Sequence, residues 1–91
     1  MEIRWTSRAL SDLARLYDFL APVDATAAAR TVQMLTAAPV TLQANPRIGR
    51  RLEAPEPHEV RRLLVGAYEL RYEIAGETIF ILRMFHTRED R

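Results

Sequence analysis

Four side chains in this 91-residue sequence could between them move protons around a phosphodiester: His58, His86, Tyr68 and Tyr72. A histidine can serve as general base, a tyrosine as general acid, and arginines on neighbouring strands can neutralise charge that grows in the transition state. Their spacing forms no recognisable set. There is no Ser-His-Asp arrangement, no glycine-rich phosphate loop and no paired-carboxylate motif, so no catalytic residue is assigned. Tyr68 and Tyr72 alternate with Leu70 and Ile74, which reads more simply as one packed strand face with the hydroxyls satisfied at its edge. His58 lies in a proline-rich loop and reads as exposed. His86 follows an apolar run and precedes Thr-Arg-Glu-Asp-Arg, at the rim of whatever that run builds. With no cysteine and two distant histidines, neither a metal site nor a cofactor is expected.

The charges are more informative. All thirteen basic residues are arginine, against twelve acidic ones, giving a net charge of +1. A guanidinium fork suits carboxylate and phosphate better than an ammonium does, although a GC-rich coding sequence produces the same bias. Arg47, Arg50, Arg51, Arg61 and Arg62 cluster in the chain but are interleaved with Glu53, Glu56 and Glu59, which weakens a nucleic-acid reading.

The elements that must position these groups follow from periodicity. Ile3 and Trp5 alternate with polar neighbours in a first strand over residues 2–6. Thr6 or Ser7 caps a helix over 7–20, with Leu10, Leu13, Tyr17 and Leu20 at helical spacing. Asp12, Arg15 and Asp18 read as its solvated outer face. Pro22 stops that helix, and Asp24 caps a second one through Ala28, Val32, Leu35, Pro39 and Leu42, with a kink or restart expected near Ala38. Asn45-Pro46 ends the helical part, Gly49 is free to take positive φ, and residues 50–57 read as a loop. Residues 60–65, 68–74 and 78–85 then form an antiparallel meander with turns at Gly66 and Gly76, the last strand central and covered on both faces. The order β-α-α-β-β-β predicts an α+β domain: a helical hairpin packed on a small, mainly antiparallel four-stranded sheet.

A chain this short holds a single domain, residues 1–91. Its apolar and charged fractions are those of a folded globular protein. No run approaches a membrane span and the start is not a signal peptide, so a cytoplasmic location is expected.

Four segments carry a family resemblance: W-T-S-R-A-L-S-D-L at 5–13, N-P-R-I-G-R at 45–50, V-R-R-L-L-V-G-A-Y-E-L-R-Y-E-I at 60–74 and I-L-R-M-F-H-T-R-E-D at 81–90. In this order and at these separations they resemble the ParE/RelE toxin superfamily over nearly the whole chain. The resemblance implies the toxin of a type II toxin-antitoxin pair, neutralised by an acidic ParD-like antitoxin with a ribbon-helix-helix N-terminus. ParE-like members of the superfamily inhibit DNA gyrase, and RelE-like members cleave mRNA on the ribosome.

Where the nuclease branch has arginine after the aromatic residue of the middle strand, this chain has Glu69, and a carboxylate repels developing phosphate charge. Arg88 does match that branch's arginine near the C-terminus, but the lysines of the preceding loop and the terminal tyrosine are missing. The expectation is therefore a ParE-like binding toxin acting on gyrase, with no sequence-specific nucleic-acid contact of its own. A ribosome-dependent ribonuclease and a non-toxic protein-binding module are the alternatives. Arg61, Arg71 and Arg83, on otherwise apolar strands, are expected to meet the antitoxin, which would lie in the groove between hairpin and sheet. The rim of His86, Arg88 and Arg91 is expected to meet the target.

Overall fold

In the computed structural model, which describes residues 1–89, two helices pack on one face of a five-stranded mixed sheet. The elements run β1 (Glu2–Trp5), α1 (Ser7–Leu20), α2 (Ala25–Ala44), β2 (Arg50–Leu52), β3 (Glu59–Val65), β4 (Tyr68–Ala75) and β5 (Thr78–His86). The sheet order is β1-β5-β4-β3-β2, with β1 parallel to β5 and every other pair antiparallel. The α+β class and the helical hairpin are as the sequence predicts; the strand count is not. Arg50–Leu52, expected as loop, pairs with Val60–Arg62 to add a fifth strand. Three residues, two of them arginine, carry too little apolar alternation to register as a strand in sequence.

The core lies between the hairpin and the sheet. Ala9, Leu13 and Leu16 of α1 and Leu35 and Leu42 of α2 meet Tyr68, Leu70, Tyr72 and Ile74 of β4 and Ile79, Ile81 and Met84 of β5. Full burial of side chains this size contributes about 1.5–3 kcal/mol each, which makes this face the main source of stability. The last strand, expected to be central and covered on both faces, lies between β4 and β1 with helices on one face only, Phe80 and Leu82 remaining half-buried on the other; the middle strand is β4.

Two further expectations change. The second helix runs unbroken through Pro39, which is fully buried in line with Leu35 and Leu42. Burial of the ring offsets the backbone hydrogen bond it cannot donate. Among the described residues positive φ is confined to Gly66 and Gly76, both at 59°, in the two hairpin turns. Gly49 is needed for space instead, since a Cβ there would lie 2.6 Å from both the Arg62 carbonyl oxygen and the Tyr72 hydroxyl. That hydroxyl donates to the Pro46 carbonyl (2.7 Å) and accepts from the Gly49 N–H (3.0 Å), tying the helix-to-sheet loop onto the core.

Candidate protein-binding seam between the first helix and the last strand

The functional geometry starts from a mismatch of length. β1 ends at Trp5, opposite Ile81, whereas β5 continues to His86. From there the outer edge of β5 has no strand beside it, and α1 runs along it instead. Thr6, the N-cap of α1, fixes the junction: its hydroxyl accepts from the Ala9 N–H and donates to the Ile81 carbonyl (2.8 Å).

Past this junction, side chains take the part of the missing strand. The Asp12 carboxylate accepts the Met84 N–H (2.9 Å), and the Arg15 guanidinium donates to the Met84 carbonyl (3.4 Å). Together they present one acceptor and one donor, as a neighbouring peptide group would. Asp12 also accepts from Arg83 at 2.8 and 3.2 Å and from Arg15 at 3.4 Å. Glu89 extends the pattern, accepting the His86 N–H (2.9 Å) through one oxygen and Arg15 (3.0 Å) through the other.

The electrostatics follow from this geometry. Burial works to raise the pKa of Asp12, which is only 4% exposed, but the hydrogen bonds from Arg83, the Met84 N–H and Arg15 outweigh it and hold the carboxyl below its ordinary value. Burial opposes ionisation of Glu89 in the same way, and the His86 N–H and Arg15 overcome it. Asp12, expected on a solvated face, is thus a buried structural anion. A weak signal existed in its position, one residue before Leu13 and three after Ala9, on the border of the apolar stripe.

Two concavities flank Arg15 along this seam. One, of about 520 Å³, is lined by the polar and charged residues Ser7, Arg8, Ser11, Asp12, Arg15 and Arg83. The other, of about 550 Å³, is largely apolar and is lined by Leu16, Phe19, Leu20 and Tyr68, with Arg88 and Glu89 at its border. The Tyr68 ring meets His86 edge-on at 5.2 Å between centroids. Phe19 is 78% exposed and Val23, just beyond the helix, 89%.

The expected site residues divide among three places. Arg83 lies on the seam, where it bonds Asp12, and its guanidinium stacks on the Phe85 ring at 4.7 Å. Arg71 stacks on the same ring at 5.1 Å and bonds the buried Glu69, on the face of the sheet away from the helices. Arg61 pairs with Tyr72 in register and therefore faces the opposite side, held by Glu59 (2.8 Å) and the Gly49 carbonyl (2.7 Å). The three arginines therefore do not form one surface. His86 and Arg88 do lie together at the apolar concavity, with the Arg88 N–H donating to His86 Nδ1 (3.1 Å). Arg91 falls outside the described residues. His58 is partnered, its Nδ1 lying 2.7 Å from the Glu73 carboxylate. No cluster of metal-ligating side chains occurs among the described residues, and none of their helices is long and apolar enough to cross a membrane.

Comparison with known proteins agrees with this architecture. A chain of the chromosomal ParDE TA system of P. aeruginosa superposes with a TM-score of 0.81 at 30% identity, covering 94% of this chain and 95% of that one. A chain of the toxin-antitoxin complex RelBE2 of Mycobacterium tuberculosis gives 0.66 at 27% identity, covering 93% and 95%. No curated protein sequence matches. The family described as the ParE toxin of the type II toxin-antitoxin system parDE matches over residues 3–91. On that match, extending over nearly the full chain, and on the shared fold, the protein belongs to the ParE toxin family of type II toxin-antitoxin systems.

Proposed function

We propose that this toxin acts by binding rather than by catalysis, that its target is DNA gyrase in the cytoplasm, and that a ParD-like antitoxin silences it by occupying the seam between α1 and β5. The observation that carries the binding reading is the pairing of an apolar concavity with a basic one on a backbone that is already satisfied. Such a surface offers anchor pockets and charge to a protein segment. An amphipathic antitoxin segment would place apolar side chains beside Phe19, Leu20 and Tyr68 and acidic ones toward Arg8, Arg15 and Arg83. Of the arginines expected from sequence, Arg83 belongs to this contact. Arg71 is reached only if the segment passes over β5, and Arg61, two strands from β5, is held at Glu59 and the Gly49 carbonyl.

The target surface proposed is the rim of His86 and Arg88, with Arg91. His86 and Arg88 line the same concavity, so an antitoxin seated there would mask them. The Glu89 carboxylate caps the His86 N–H and holds Arg15 beside this rim. Substitution of the exposed Arg88 by Glu keeps that network.

Support for gyrase over mRNA comes from the ParE family match and from Glu69. This residue, 1% exposed, puts a carboxylate where the nuclease branch has the arginine that would stabilise its transition state. The second reading, a ribosome-dependent ribonuclease, has in its favour the RelBE2 likeness and Arg88. The deciding experiment compares gyrase-dependent supercoiling with mRNA integrity on translating ribosomes, for the protein and its Arg88→Glu variant. Loss of supercoiling with accumulated cleaved DNA, relieved by the substitution, is expected. Site-specific mRNA cuts would replace the proposal by the second reading.

A further inference from the structure

The face of the sheet that carries no helices holds a pattern invisible in the chain order. Arg50 of β2 is opposite Arg62 of β3, Arg62 is opposite Arg71 of β4, and Arg71 is opposite Arg83 of β5. Residues directly opposite on neighbouring strands share a face, so these four arginines stand in one rank across four strands, spanning roughly 14 Å at the usual strand spacing. Like charges set side by side in this way repel, and a sheet keeps them only with compensation.

The compensation comes from beneath. Glu69 bonds Arg71 Nε (2.6 Å) and Arg62 Nη1 (3.3 Å), and Asp12 holds Arg83 from the seam. Both carboxylates are buried, so neither confronts a ligand approaching the face. Glu73 also stands on this face, two residues along β4 from Arg71 and paired with His58, so the excess of positive charge is local to the rank, where four guanidiniums meet two carboxylates.

We propose that this helix-free face binds the phosphate backbone of a nucleic-acid strand, without regard to sequence, through the rank Arg50, Arg62, Arg71 and Arg83. Free donors are available there. Among the described residues the Arg50 side chain makes no hydrogen bond or ion pair, Arg71 bonds only through Nε, and Arg62 only through Nη1. The guanidiniums of Arg71 and Arg83 are held by stacking on Phe85, so little side-chain freedom is lost when a phosphate is bound bidentately.

Exposed Leu64 and half-buried Phe80 flank the rank on either side, in register with Glu69 and Glu73, and give bases an apolar surface to lie on. An acidic protein segment is less well served here. It would need pockets for apolar anchors, and the two concavities described above both lie on the seam.

The test is fluorescence anisotropy of the full chain with a labelled single-stranded DNA of mixed sequence, about 16 nucleotides long to fill a site of ordinary size. Salt is varied from about 50 to 200 mM. Three or four phosphate contacts predict that log K falls with log salt at a slope of about −2 to −3. Arg50→Gln, at an exposed and unpartnered position, leaves folding unchanged and should flatten that slope by about 0.7; Arg62→Gln with Arg71→Gln should flatten it by about 1.4.

Undetectable binding at the lowest salt, or wild-type slopes in both variants, overturns the proposal. So does tighter binding of a polyglutamate of matched charge, which would assign the face to an acidic protein. The assay contains neither gyrase nor antitoxin, so its outcome is independent of the toxicity experiment.

Discussion

Two buried carboxylates organise two different regions of this molecule. Asp12 on the seam and Glu69 on the open face are each nearly inaccessible, and each bonds two arginines. Asp12 also satisfies the backbone N–H of Met84, and so completes a strand edge. Glu69 lies under two guanidiniums that remain about one-third exposed and sets them in rank. The first carboxylate serves the fold and the second the surface. A buried charge is therefore not one kind of evidence; what its partners do decides whether it points to architecture or to recognition.

The largest effect that would break this comparison is on Asp12. Asp12→Ala leaves the Met84 N–H and Arg83 without their acceptor, and should cost about 3 kcal/mol. In a domain of this size that is a fall in Tm of roughly 15 °C, read by thermal unfolding. A fall of only a few degrees would mean that water or Glu89 replaces the carboxylate, and that the seam does not depend on it.

Glu69→Gln should cost less, about 1–2 kcal/mol, because its arginines are exposed enough to rehydrate. Its stronger signature should be a change in oligonucleotide affinity, since the rank loses its template while gaining net charge. Equal destabilisation by the two substitutions would erase the distinction drawn here.

Acid sharpens it. The folded-state pKa values of Asp12 and Glu89 are lowered, so their contribution is fully present above the unfolded carboxylate range and is lost as pH falls below about 4. Denaturation midpoints measured against pH should drop there, and Asp12→Asn should flatten the drop. The smallest effect is expected at Arg4 and Glu2, an ion pair exposed on both sides, where Arg4→Ala should leave Tm unchanged.

Much of the fold was legible in the sequence, because helices and long strands announce themselves by repeated apolar spacing. The bounds of α1 follow from Thr6 and Pro22, and the three meander strands from their alternation and two glycines. What escaped was set by contacts between distant residues. β2 has too few residues to show a period, and Arg50–Leu52 becomes a strand only because β3 offers it an edge. Asp12 looks solvated until β5 outruns β1 and leaves an amide to be met. The rank of arginines depends on register, which strand composition does not display. Conversely, the packing of Tyr68 and Tyr72 and the place of His86 and Arg88 at one rim were readable, since each follows from its position within a single strand or just past its end.

The closure of β5 by Asp12, Arg15 and Glu89 has a bearing on how such a chain survives without its partner. Bare strand edges recruit other strands, and a protein whose binding surface was an open edge would join copies of itself whenever that surface was uncovered. Here the edge beside the seam has its hydrogen bonds made internally, by side chains of α1 and by Glu89 just past β5. Uncovering it exposes pockets and charges, but this stretch of β5 offers another strand no free backbone on which to grow.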